Sequence, residues 1–317
     1  MTIFTEKYRP KIREDVVGNK ASIDSIFELV NAGDMPHIIM EGIPGTGKTT
    51  VAIIIGRQLY GVNYKANFME LNASDQRGIA VVQGLIKQFA MSSPLDAKFK
   101  ICFLDEADML THEAQSALRR TMETYASSTR FIFSVNRLEQ LIDPIRSRCA
   151  IFRFGPIAVG EMSLRIVNVY MRETNCKAIL KTEEDACKAI AEQSHGDMRR
   201  AVNHLQLLMS SGKPLTPELV TSVKITDYGA KILEVLKTGR FLEARKVLQE
   251  AMELGYRGRY IIDLMHKALI EDATLTADQK GKIVMELCET DYRLTLGVNE
   301  VLAMDNVMIT IIGVCKK

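Results

Sequence analysis

One stretch constrains this chain more than any other. Gly42-Ile43-Pro44-Gly45-Thr46-Gly47-Lys48-Thr49 matches G-x-x-x-x-G-K-[ST] in full. An apolar run, His37-Ile38-Ile39-Met40-Glu41, precedes it, and an apolar helical pattern through about Tyr60 follows. Glycines so placed let backbone N–H groups converge on phosphate oxygens, and the start of the following helix adds partial positive charge. Lys48 can reach the outer phosphates of a nucleoside triphosphate, and Thr49 can ligate Mg²⁺. An ordinary strand-to-helix turn has no need of all four fixed positions between these two flanking elements.

A second feature completes the chemistry. Ile101-Cys102-Phe103-Leu104-Asp105-Glu106 is an apolar strand that delivers two carboxylates at its carboxyl end, where ligands bind in sheets of this kind. Asp105 is suited to hold Mg²⁺, directly or through water, and Glu106 to polarise an attacking water. Two acids after a strand are often only the start of a loop. Downstream of a complete phosphate loop they read as catalytic.

The first half alternates short β-type runs with helical patterns. Strands are expected at 37–41, 67–72, 99–104, 130–136 and 150–154, which argues for a doubly wound α/β domain with a mainly parallel five-stranded sheet. After Gly155-Pro156 the pattern turns helical, with helices expected at 160–174, 183–194 and 197–209. A turn-rich stretch from Ser210 to Pro217 follows, and from Glu218 to Lys317 there is no proline. That tail shows helical periodicity, as in Ile232, Leu233, Leu236 and then Phe241, Ala244, Val247, Leu248. The expected organisation is an ATPase-type domain over 1–156, a small helical domain over 157–225 and an all-helical domain over 226–317.

Composition excludes other classes. Over 317 residues Lys+Arg is 41 and Asp+Glu 39, a net +2, so contact with nucleic acid must come from local placement of basic residues. Trp is absent, which disfavours aromatic stacking as the main mode of binding bases. No apolar run reaches the ~18 residues of a membrane span, and MTIFTEKYRPK has no apolar signal core. The expected location is cytoplasmic. Six cysteines without Cys-x-x-Cys spacing read as reduced thiols rather than a zinc site.

Further short motifs resemble those of AAA+ ATPases, and more narrowly of archaeal-type replication factor C small subunits. Glu6-Lys7-Tyr8-Arg9-Pro10 and Val16-Val17-Gly18-Asn19 resemble the adenine-side boxes. Leu71-Asn72-Ala73-Ser74-Asp75-Gln76-Arg77-Gly78-Ile79, Asp105-Glu106-Ala107-Asp108, Gln115 to Glu123, Ser147-Arg148-Cys149 and Gly196-Asp197-Met198-Arg199-Arg200 extend the likeness over essentially the whole chain. The resemblance implies ATP and Mg²⁺ as cofactors, with nucleotide held by Gly42 to Thr50, Tyr8, Arg9, Pro10, Val16 and Val17. Metal would sit on Thr49 and Asp105. It implies that Asn136 is sensor 1, Arg199 a sensor 2 acting in cis from a helical lid, and Arg148 an arginine finger serving a neighbouring subunit. The tail would be the collar of a ring-like pentamer. Implied partners are a PCNA-type sliding clamp, a clamp-loader large subunit, other small subunits and primer–template DNA, placing the protein at the nucleoid. Arg77 and Lys87 would contact DNA from one helix.

Some positions depart from the family pattern. Ile43 replaces a usual proline, Arg137 a usual aromatic, and Gln83-Gly84 a frequent Arg-Asn pair, which thins the expected DNA grip. A branch-migration motor would end in a winged-helix domain with strands. A purely structural subunit would not need Glu106, and a small-molecule P-loop kinase would need neither Arg148 nor a helical tail.

Overall fold

The computed structural model describes residues 3–33, 35–73, 80, 82–222, 228–253, 258–295 and 298–315. The chain divides into two compact units, Met1–Ser222 and Val223–Lys317. The first is built on five strands: β1 (His37–Gly42), β2 (Phe68–Asn72), β3 (Lys100–Asp105), β4 (Thr129–Val135) and β5 (Cys149–Phe154). Their order across the sheet is β2-β3-β4-β1-β5, and every pairing is parallel.

Strands buried on both faces need apolar side chains at both phases of the pleat. In β1, Ile38 and Met40 point into one core with Ile101, Phe103 and Ile132 of the neighbouring strands. Ile39 points the other way, with Cys102, Leu104, Phe131 and Phe133. The first core is completed by helices α1 (Lys20–Asn31) and α2 (Lys48–Tyr60), through Ile26, Phe27, Val51 and Ile55. The second is closed by α3 (His112–Thr124), through Ala114, Leu118 and Met122. Thr111 starts α3 by accepting the N–H of Ala114 on its side chain.

Four helices follow the sheet within the same unit: α4 (Val159–Thr174), α5 (Lys181–Gln193), α6 (Met198–Ser210) and a short helix over Pro217–Ser222. They bury Met162, Ile166, Cys187, Ile190, Leu205 and Leu208. Asp197 caps α6 by accepting the N–H of Arg200 at 3.0 Å.

The second unit consists of helices among its described residues: α7 (Tyr228–Lys237), α8 (Phe241–Glu253), α9 (Gly258–Glu271), α10 (Ala277–Thr295) and α11 (Glu300–Cys315). Their core holds Ile232, Leu236, Ile261, Met265, Met304, Val307 and Ile311. Among the described residues, no helix is long and apolar enough to cross a membrane, and no His, Cys, Asp and Glu cluster could hold a metal. All six cysteines are free thiols; Cys102 and Cys187 are buried, whereas Cys176 and Cys288 are exposed.

The segment expected to carry the DNA contacts is more irregular than a single α-helix. Val82–Ile86 forms a π-helical turn, and an α-helix begins only at Lys87 and ends at Met91. Lys87 is exposed there, and Arg77 lies outside the described residues.

Candidate active site

The cleft opens at the carboxyl ends of β1, β3 and β4, where a doubly wound sheet offers loops and helix starts to a ligand. The loop after β1 turns into α2 at Gly47, and its residues from Pro44 to Thr50 line the cleft. Gly45 adopts φ +74, and a Cβ there would lie 1.7 Å from an Asp197 carboxylate oxygen, so no larger residue fits. The Gly45 carbonyl also accepts the N–H of Met198 at 3.1 Å, which fixes the start of α6 against the phosphate loop.

Lys48 is nearly buried. Its ammonium donates to the carbonyls of Gly42 (2.6 Å) and Ile43 (2.9 Å) and to Asn136 Oδ1 (3.2 Å). Gly42 and Ile43 thus meet the site through Lys48 rather than by lining the cleft. Burial pulls the Lys48 pKa down to about 8; Asp105 and Asp108 oppose the shift, and Arg199 reinforces it. A triphosphate would supply the negative charge that keeps this ammonium protonated.

Thr49 Oγ1 donates to Asp105 Oδ2 at 2.7 Å, so a hydroxyl and a carboxylate converge from two elements. Hard oxygen donors of this kind suit Mg²⁺. Glu106 follows in the left-handed backbone region at φ 52, uncommon for a residue with a long side chain. That turn sends the chain away from β3 while both carboxylates line the cleft. Asn136, one residue past β4, lines it too. Its N–H donates to the buried Asp108 carboxylate at 3.3 Å. Burial raises the Asp108 pKa, against the N–H groups of Asn136 and Arg137, which favour its charged form.

Tyr8, Arg9, Pro10, Val16 and Val17 also line the cleft, as do Arg199 and Val202 on α6. Two contributors escaped motif reading. Arg165 on α4 lines the cleft and donates to the Tyr8 carbonyl at 2.9 Å. Glu173, also on α4, accepts from Tyr8 Oη at 2.5 Å and Lys7 Nζ at 2.7 Å. Asp108 was already part of the Asp105-Glu106-Ala107-Asp108 motif, and its hydrogen bond to the Asn136 N–H is what the motif did not specify. Arg165 and Glu173 act through residues distant in sequence, so no local signal marks them.

Arg148 and Lys87 are not among the described residues that line the cleft. Arg148 immediately precedes β5, whose Cys149 is in register with His37 at the start of β1. It therefore lies at the amino ends of the strands, roughly 17 Å along the sheet from the phosphate-loop end. An intramolecular ion pair at this loop is expected of Arg146 rather than Arg148. Both are paired: Arg146 with Asp143, and Arg148 with Glu123 at 2.5 Å and with the Pro144 carbonyl at 2.7 Å. Glu123, at the end of α3, reaches Arg148 because α3 packs beneath this loop.

A complete phosphate loop, two carboxylates and an asparagine just past β4, all lining one cleft at the strand ends, define a P-loop ATPase of the AAA class. Residues 38–157 match the family model described as "ATPase family associated with various cellular activities (AAA)", and residues 228–310 match "Replication factor C C-terminal domain". The replication factor C small subunit of Methanocella arvoryzae is 43% identical, over 94% of this chain and 92% of its own length. That of Archaeoglobus fulgidus is 39% identical over 99% and 98%. A Thermotoga maritima RuvB variant shares the fold, with a TM-score of 0.58 at 18% identity over 72% of this chain and 79% of that one. The chain belongs to the replication factor C small subunit family.

Proposed function

We propose that this chain hydrolyses ATP, with Mg²⁺, as a small subunit of a clamp loader that opens a PCNA-type sliding clamp and places it on primer–template DNA during replication. The observation that carries this reading is a split. One cleft gathers the phosphate loop, Asp105, Glu106, Asn136 and Arg199, while Arg148 stands at the far ends of the strands. A chain so arranged can bind nucleotide alone and still need a neighbour to complete catalysis.

In this reading the backbone of Gly45 to Thr49 and the Lys48 ammonium cradle the phosphates, and Tyr8, Arg9, Pro10, Val16 and Val17 flank the base. Thr49 and Asp105 would hold Mg²⁺, which would supply positive charge against the phosphate oxygens. Glu106 accepts a proton from the attacking water, and Asn136 orients that water or the outer phosphate. Arg199 approaches the same phosphates from the lid formed by α4 to α6. Arg148 stabilises charge on the outer phosphate of the adjacent subunit's ATP, with α7 to α11 as the collar that sets subunits side by side.

The helical character of the second unit's described residues supports this reading over a branch-migration motor, which would end in a strand-containing winged helix. Both carboxylates facing the cleft support hydrolysis over purely structural ATP binding. The test is ATPase activity of the chain alone, with a large subunit, and with sliding clamp and primed DNA added. Stimulation only in the full mixture is expected; full activity alone, unaltered by clamp or DNA, would refute the proposal.

A further inference from the structure

The chain leaves the sheet for the lid helices through Gly155-Pro156-Ile157, between Phe154 at the end of β5 and Val159 at the start of α4. Two walls of the cleft grip this hinge. From the base side, Asn19 Nδ2 donates to the Gly155 carbonyl at 3.0 Å and its Oδ1 accepts the Gly155 N–H at 2.8 Å. One side-chain amide thus takes both backbone groups of a single residue, which fixes that residue's position and its rotation. From the phosphate side, the Gly196 carbonyl accepts the N–H of Ile157 at 3.2 Å. A Cβ on Gly196 would lie 2.4 Å from Pro156 Cβ, so the approach requires glycine.

Asn19 is placed unusually for this task. It occupies the N-cap position of α1, where an asparagine ordinarily accepts N–H groups of its own helix. Here it makes no side-chain cap bond, and its backbone is left-handed at φ 54 and ψ 31. Asparagine tolerates that conformation better than most residues. The amide that would have capped α1 is turned to the hinge instead. Val16 and Val17, just before it, line the cleft, and Arg199, just after Gly196, lines it from the lid.

We propose that Asn19 is a positioning residue for ATP hydrolysis. It ties the base-side segment to the hinge peptide, so that nucleotide packed against Val16 and Val17 sets the angle at which the lid presents Arg199 to the phosphates. The inference rests on the proposed reading of the cleft as an ATP site. Other contacts hold the lid on either side of the hinge, Tyr8 on Glu173 and Met198 on Gly45 among them. Asn19 differs from these in binding the hinge peptide itself from the base side, with both of its bonds on Gly155.

The test is a double-mutant cycle in the assembled complex, reading kcat and KM for ATP. Asn19→Gly leaves the left-handed backbone free to form and removes the amide. Asn19→Asp keeps an acceptor for the Gly155 N–H and loses the donor to its carbonyl. Loss of two hydrogen bonds should lower kcat about tenfold in Asn19→Gly, with a smaller change in KM and a partial loss in Asn19→Asp. In an Arg199→Ala background the same substitutions should cost nothing further, because their effect runs through Arg199. Equal losses in both backgrounds, or unchanged kcat in the Asn19 variants, overturn the proposal. If Asn19→Gly fails to fold, Asn19→Asp carries the cycle. Lys48→Ala separates the two levels: ATP binding that survives it overturns the ATP-site reading, whereas an additive cycle with binding lost in Lys48→Ala removes only the coupling by Asn19.

Discussion

The sheet of β1 to β5 and the helical unit from Val223 to Lys317 both hold apolar cores, but they carry their information differently. At the strand ends, Lys48, Asp105 and Asn136 arrive from distant stretches of sequence, and hydrogen bonds of 2.6–3.2 Å tie Lys48 and Thr49 to their partners. Function there resides in a few polar atoms. The helical unit pairs polar groups among its described residues, as Lys237 with Asp272 at 2.6 Å, and none of them lines the cleft. Its character lies in which faces are apolar, and α11 is the clearest case: it buries Met304, Val307, Met308 and Ile311 yet leaves Leu302 and Ile309 exposed. Such a helix is apolar around more of its circumference than its own unit covers. A site built from a parallel sheet can therefore be attacked one atom at a time, whereas the helical unit should respond to volume.

The largest effect is expected at Glu106. Glu106→Gln should retain ATP binding and lose about 10²–10⁴ in turnover, while Lys48→Ala should lose binding itself. Nucleotide binding and single-turnover hydrolysis measured side by side check the split; wild-type turnover in Glu106→Gln would break the assignment.

Arg148→Ala should come next. Arginine fingers contribute ~10³–10⁵ in rate, and a ring with several sites will show less for each one. The substitution should spare the subunit's own ATP affinity and cut hydrolysis next door, as read in mixed assemblies carrying Lys48→Ala and Arg148→Ala on different subunits. A monomer that hydrolyses ATP fully and loses that activity with Arg148→Ala would place the residue in cis.

The helical unit is probed by Ile232→Ala. Removing this fully buried side chain should cost about 2–5 kcal/mol of that unit's stability, read by denaturant unfolding, with ATP affinity unchanged. A parallel fall in ATP affinity would erase the contrast between the two regions.

Within the first unit, His37 supplies a pH test. Burial, then the charge of Arg130, lowers its pKa from 6.5 to about 4. Its neutral Nδ1 accepts the Phe131 N–H at 3.0 Å. The unfolded chain takes up this proton first as pH falls, so stability present above pH 6.5 is lost progressively toward pH 4. Melting temperature should fall across that window, and less steeply in His37→Asn; parallel curves would remove His37 as the cause.

The smallest effect is expected from joint charge removal at Arg77 and Lys87. It should weaken DNA binding of the assembled complex for all sequences alike and reduce the salt slope by roughly one or two. An unchanged slope would leave Lys87 a solvated surface charge.

Much of the sheet was legible because its signals are local. A strand buried on both faces must read as a short apolar run, so β1 to β5 fall within about a residue or two of the runs that announce them. The phosphate loop is legible for the same reason: its glycines, Lys48 and Thr49 act within one turn of chain. The π-helical turn at Val82–Ile86 had no such signal, since nothing in Val82-Gln83-Gly84-Leu85-Ile86 distinguishes it from an α-helix.

The sequence alone determined the strand–loop–helix order, the phosphate loop and the acids at the end of β3, because backbone sterics and side-chain period operate over a few residues. Tertiary structure decided which residues support them. Arg165 reaches the Tyr8 carbonyl, Asp108 the N–H of Asn136, Asn19 the peptide of Gly155 and Glu123 the guanidinium of Arg148. These partners lie from 25 to 157 residues apart. Such pairs exist only once the parallel crossovers have brought distant segments together, and no local spacing rule encodes which side chains will then face one another.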